Sequence, residues 1–113
     1  MRTLRLISNN MIAQTPAPPY YAVIFTSIIT KSDTGYEAMA TEMLALAKQQ
    51  PGFLGIESAR NEIGITVSYW DSFEAIKAWK ANERHLMAQQ KGKTEWYKSY
   101  TTRVCRVERD YSL

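Results

Sequence analysis

Few side chains in this sequence are equipped for chemistry. His85 is the only histidine, and its ordinary pKa near neutrality makes it the natural base for a phenolic proton. The alternative is that, three residues past Asn82, a helix-capping residue type, it sits on an exposed first helical turn. Trp70 and Trp79 offer flat indoles that stack offset or edge-on with aromatic rings, and both are also large enough to be simple core. Tyr69, Tyr97 and Tyr100 supply hydroxyls that could hold a substrate oxygen or sit at a surface or interface. Asp71 and Glu74 have the spacing of a capping box at a helix start, which accounts for them without acid–base catalysis. Cys105 is the single cysteine. It leaves no partner for a disulfide within these residues, fits a reducing compartment, and reads as a small buried hydrophobe. One histidine and one cysteine do not make a His/Cys metal site within one chain, and no glycine-rich phosphate cradle is present.

The totals narrow the class. A chain of 113 residues, 45% hydrophobic and 22% charged, has the size and composition of one globular domain. No apolar run approaches the roughly 20 residues of a membrane span. Arg2 and Arg5 are not followed by an uninterrupted apolar segment and a small-residue cleavage site, so the expected location is cytoplasmic. The net charge of +3 is carried locally by Lys91, Lys93 and Lys98, then Arg103, Arg106 and Arg109. These are too sparse for a nucleic-acid stripe and read as a solvated basic face.

The elements that must position these residues follow from patterning. Residues 1–19, with Asn9-Asn10 and Pro16, Pro18 and Pro19, have no sustained period and read as an N-terminal arm; 20–113 reads as the domain. Met11 could be an alternative start. Tyr20–Ile29 is a strand whose consecutive Ala22, Val23, Ile24 and Phe25 imply burial on both faces. Thr34 with Glu37 forms a capping box opening a helix. That helix gathers Tyr36, Met39, Ala40, Met43 and Ala47 on one face, until Pro51-Gly52 stops it. Phe53–Arg60 is a second strand, turned back at 61–64 into a third, Gly64–Trp70. Asp71 is the expected cap of the next helix, whose Phe73, Ile76 and Trp79 recur on one face. Asn82 predicts a break and a short third helix through His85, Leu86, Met87 and Gln90 to Gly92. Such a break would leave a gap beside Trp79, suited to a flat hydrophobic ring. Trp96–Val107 is the last strand, with Tyr100, Thr102, Val104 and Arg106 on one face and Thr101, Arg103, Cys105 and Val107 on the other.

The order β-α-β-β-α-(α)-β predicts an α+β, ferredoxin-like fold: a four-stranded antiparallel sheet with helices on one face. The first strand then needs cover on its second face, which a second copy of the chain laying sheet on sheet would supply. A homodimer is therefore expected.

PGFLGIES after the first helix, then GITVSYWDSFEAIKAWKAN, resembles the antibiotic-biosynthesis monooxygenase family of dimeric α+β barrels, over roughly Tyr20 to Arg109. The family contains quinone-forming oxygenases, heme-degrading enzymes and members without assigned function. In the oxygenases the substrate sits between helices and sheet and gives its own electrons to oxygen, so the resemblance implies no cofactor. It implies that Trp70 and Trp79 border the pocket, with Thr26 near it on the first strand and His85 beyond the second helix. The heme-degrading members use an Asn, a Trp and a His. Trp79 fits the Trp, but Thr26 stands at the Asn position and Gln89 near the His position, with His85 one turn earlier. Heme cleavage by that route is therefore not expected. The resemblance points to a cofactor-independent monooxygenase-like protein acting on a small hydrophobic phenol or quinol. A non-catalytic ligand-binding or dimerisation protein of the same fold is the alternative.

Overall fold

The computed structural model describes residues 11–31, 35–90 and 96–113, with the side chains of 87–90 excepted. Its elements are β1 (Tyr20–Ile29), α1 (Tyr36–Lys48), β2 (Phe53–Arg60), β3 (Gly64–Trp70), α2 (Phe73–Gln90) and β4 (Tyr97–Val107). The four strands form one antiparallel sheet in the order β2-β3-β1-β4, the ferredoxin-like α+β arrangement. Among the described residues, no helix is long and apolar enough to cross a membrane.

Register assigns the two faces. Val23 lies opposite Ser68 and Val104, Phe25 opposite Thr66 and Thr102, and Ser27 opposite Gly64 and Tyr100. These residues share the face that carries the helices, because side chains directly opposite in a sheet point the same way. The core under the helices is Val23, Ala47, Trp70, Ile76 and Trp79, with Tyr21, Met43, Leu46, Phe53 and Ala75 packed against it. Met39 and Trp96 make a second buried pair, flanked by Tyr36, Met43 and Tyr97. The burial expected on both faces of β1 is present: Val23 is buried on the helix side, while Tyr20 and Ala22 are buried on the rear. Residues 11–19 contribute to the rear cover. The Ala13 N–H donates to Glu57 Oε2 at 3.0 Å, and the Thr15 hydroxyl donates to Tyr20 Oη at 3.0 Å.

Three local expectations change. The second helix runs unbroken from Phe73 to Gln90, so Asn82 neither breaks it nor caps a third helix. Its side chain donates to Gln50 Oε1 at 3.0 Å and serves as a link to the end of α1. Asparagine has only a modest helix penalty, which an 18-residue helix packed on a sheet overrides. The cap of α2 is Ser72 and not Asp71: the Ser72 hydroxyl accepts the Ala75 N–H at 3.0 Å. Asp71 instead donates its N–H to the Gly52 carbonyl at 2.9 Å. At α1 the capping residue is Gly35, with φ of 84° and no side-chain cap; Thr34 lies outside the described residues, as does Gly92. Gly52 has φ of 86°, which is why it can follow the helix where other residues would be strained.

Candidate functional site

Between the two helices and the sheet lies a cavity of about 870 Å³. It is lined from both α1 and the unbroken α2, so no helix break is needed to make it. The floor is Val23, Phe25, Thr66 and Ser68; α1 contributes the face expected from its periodicity, Tyr36, Met39, Ala40, Met43 and Ala47; Trp79 is the wall from α2. Most of this lining is apolar or aromatic, as in sites that hold small organic ligands.

One hydrogen-bonded group of polar side chains lies at the β2–β3 hairpin end. Arg60 closes β2, Ser27 lies near the end of β1, Tyr36 begins α1 and Tyr97 begins β4. The Arg60 guanidinium donates to the Ser27 carbonyl at 3.3 Å, to the Ser27 hydroxyl and to the Tyr36 hydroxyl at 3.3 Å. It also lies over the Tyr36 ring, 5.7 Å from its centroid. The β2–β3 hairpin sets Arg60 opposite Gly64, and a Cβ at Gly64 would overlap the guanidinium. The glycine is what lets the arginine lie flat against the sheet. Burial pushes the Tyr97 hydroxyl well above its usual pKa, and its hydrogen bond to Tyr36 adds to the shift. Tyr36 and Tyr97 meet edge to face, with centroids 5.7 Å apart. On α2, Lys80 and Glu83, both in the cavity wall, form an ion pair at 2.5 Å.

Of the residues singled out from sequence, the structure brings Trp79, Tyr97 and Tyr100 to this cavity. Trp70 is fully buried, lies outside the cavity wall, and donates its indole N–H to Ser68 Oγ at 2.9 Å. Tyr69 points to the rear of the sheet, where its hydroxyl donates to Glu57 Oε1 at 2.7 Å. Burial together with that carboxylate raises the Tyr69 pKa strongly. Thr26 also belongs to the rear-facing register and lines a shallow depression with Ile28, Ile63 and Thr101. His85 is exposed and is not in the cavity wall. The side chain of Gln89 lies outside the described residues. Asp71 and Glu74 are both exposed at the start of α2, away from the cavity. Among the described residues, no group of histidine, cysteine or acidic side chains is arranged to hold a metal ion.

Arg60, Ser27 and Tyr36 were not candidates on sequence grounds. A signal was present in the hairpin: an arginine and a glycine flanking a three-residue turn fall opposite each other, with room for the larger to lie over the smaller.

Residues 19–91 match a family model described as antibiotic biosynthesis monooxygenase. The uncharacterized protein YqjZ of Bacillus subtilis is 51% identical over 102 residues, covering 88% of this chain and 90% of YqjZ. Among solved structures, SnoaB of Streptomyces nogalater, described as a cofactor-independent oxygenase, superposes with a TM-score of 0.62 at 12% identity, over 85% of this chain and 98% of that one. PA3566 of Pseudomonas aeruginosa gives 0.63 at 12% identity, over 85% and 99%. At those identities the structural matches speak for the fold.

Proposed function

The chain belongs to the antibiotic biosynthesis monooxygenase family, and from that premise we propose that it oxygenates a small, hydrophobic, electron-rich aromatic of the phenol or quinol type without a bound cofactor. The observation that carries this reading is the cavity beneath the helices: an apolar chamber walled by Trp79, Phe25, Met39 and Met43, with hydroxyls and a guanidinium gathered at one end. A planar ring suits the chamber, and the polar end suits a ring oxygen.

The chemistry balances with dioxygen as sole oxidant. Loss of the phenolic proton raises the ring's electron density, and the ring carbon para to the oxygen attacks dioxygen. The O–O bond then breaks: one oxygen stays as the new quinone carbonyl, and the other leaves as water with the two hydrogens lost from carbon and oxygen. All four electrons come from the substrate. The protein's part is to exclude bulk water, orient the ring and stabilise the ionised oxygen.

A second copy of the chain is part of this reading. Family members form dimeric barrels, and the rear of this sheet presents exposed Ile28 and Ile65 that sheet-to-sheet packing would cover.

The test is dioxygen uptake with a panel of naphthols and hydroxyanthracenes in the absence of flavin, metal or reductant, using labelled dioxygen. Protein-dependent turnover should place one labelled atom in each quinone. Tight binding of the same panel with no rate above the protein-free control would reassign the chain as a ligand-binding protein.

A further inference from the structure

We propose that Arg60, held by Ser27 and Tyr36, is the docking point for the ionised oxygen of the aromatic ligand, so that the protein binds a phenolate in preference to its phenol. The inference rests on reading the cavity as an aromatic-ligand site, and it names the group that would select the ligand's charge state.

Three observations lead to it. First, Arg60 forms no ion pair with a carboxylate among the described residues. Among the described residues the ion pair recorded is Lys80 with Glu83, and the Arg60 contacts are neutral: a carbonyl, two hydroxyls and an aromatic face. A guanidinium has five N–H donors in a fixed plane, and these contacts leave donors for an incoming oxygen. Second, its position is built. Gly64 opposite it has no side chain, and the guanidinium occupies the space a Cβ would need. Third, the surroundings favour an anion. The cavity wall includes Lys48, Arg60, Lys80 and Arg84 against Glu57 and Glu83. The Glu57 carboxylate is committed at the rear to Tyr69 and the Ala13 N–H, and Glu83 to Lys80. The titratable groups near Arg60 on neighbouring elements are Tyr36 on α1, Tyr97 on β4 and, acting on Tyr97 from α2, Glu83, whose charge is paired with Lys80. Tyr97 is held protonated by burial, so it presents no competing negative charge.

The step is an ionisation with no redox change. The phenolic O–H breaks, its electron pair stays on oxygen beside the guanidinium, and the proton leaves to water. A protein base is then unnecessary in the cavity, consistent with His85 lying outside it. Arg60 also orders the site. With the oxygen fixed at the hairpin end, the ring extends along the Phe25–Val23 floor toward Trp79.

The test uses two probes of the same shape in equilibrium titrations of the full chain. 4-Nitrophenol reports its ionisation by colour, and nitrobenzene carries the ring and nitro group without the hydroxyl. Wild type should lower the pKa of bound nitrophenol by about one unit, which corresponds to about tenfold tighter binding of the phenolate than of the phenol. Arg60→Gln should abolish that shift while leaving nitrobenzene affinity within about twofold, and Arg60→Lys should restore part of it. Gly64→Ala, which displaces the guanidinium without deleting it, should lose the shift as Arg60→Gln does. If both probes bind but the bound pKa is unshifted, or is insensitive to Arg60→Gln, the assignment of Arg60 is overturned and the cavity reading stands. If neither probe binds wild type, the cavity reading falls and the assignment with it.

Discussion

Trp79 stacks on Trp70 with ring centroids 5.9 Å apart and planes inclined by 23°, so one indole seals the core while the other forms the wall of the cavity. Phe53 meets Trp70 edge to face, with ring centroids 5.5 Å apart. The strand that ends in Trp70 and the helix that begins three residues later are thereby locked together beside the cavity. Fold and site share this pair.

Trp79→Ala should separate the two roles. A buried tryptophan truncated in a packed core costs about 3–5 kcal/mol, and Trp79 is only 5% exposed. One of its surroundings is an open chamber, so the loss should fall toward the lower end of that range. Trp79→Phe should recover most of the stability while keeping an aromatic wall. Chemical denaturation of the three proteins, paired with titration of a dihydroxynaphthalene-type probe, gives both readouts. A full-size stability loss with no probe binding in wild type would place Trp79 in the core alone.

The cap of α2 makes a second prediction. Ser72→Ala removes the acceptor of the Ala75 N–H and should cost about 1 kcal/mol. Asp71→Asn, which keeps the backbone bond to Gly52, should cost less. Thermal melts that rank the two in the opposite order would return the capping role to Asp71.

The fold was legible because its signals are local. The β-branched run before Trp70, the positive-φ glycine after Pro51 and the Tyr36–Ala47 face of α1 each follow from side-chain types and short spacings, and the structure has them all. The site was legible only in part. Trp79 could be reached through helix periodicity, whereas Trp70, one strand-end away, is core because alternation along β3 turns it under α2. Tyr69 then faces the rear for the same reason. Arg60 was hidden because its meaning depends on cross-strand register with Gly64 and on Ser27 and Tyr36, which are distant in sequence. His85 stood out by chemistry, but unbroken α2 carries it onto an exposed surface. A residue type signals capability; only register and helix phase decide what it faces.

Alkaline pH should destabilise the protein earlier than its charge alone would suggest. Tyr97 and Tyr69 are held protonated mainly by burial, and then by hydrogen bonds to Tyr36 and to the Glu57 carboxylate respectively. Tyr20 is raised by burial and by donating to Asp110 at 2.6 Å. In the unfolded chain these phenols ionise at their ordinary value of 10.0. Above that pH the unfolded state has released protons that the folded state still holds, so stability is full below it and declines as pH rises. A tyrosine that keeps its proton throughout steepens the decline by at most about 1.4 kcal/mol per pH unit, and solvent screening makes the contributions of Tyr20 and Tyr69 smaller than that of Tyr97. Melting temperature should therefore be flat from pH 7 to about 9.5 and drop above 10, with tyrosinate absorbance appearing together with unfolding. Tyrosinate developing fully before the melting temperature moves would contradict the buried, proton-holding arrangement.

The rear of the sheet carries the last prediction. Ile65 is 46% exposed and Ile28 is 39% exposed, and register puts both on the face away from the helices. Residues 11–19 hydrogen-bond on this face at Tyr20 and Glu57, while Ile28 and Ile65 stay open to water. Isolated exposed isoleucines are common, but two on one flat strand surface beside Val67 form a surface that a second sheet can cover. Sheet-on-sheet packing would bury on the order of 2,000 Å² in an obligate pair, and the protein should sediment as a dimer at micromolar concentration. Ile65→Asp is the discriminating variant. In a single chain the side chain already meets water, so the substitution should change monomer stability little. In a dimer it places a charge in an apolar interface, where an unpaired carboxylate is strongly disfavoured. Analytical ultracentrifugation should show wild type as dimer and Ile65→Asp shifted to monomer, with melting of the variant no longer rising with protein concentration. A wild type that sediments as a folded monomer would remove the dimer, and a variant that stays dimeric would move the interface to another face.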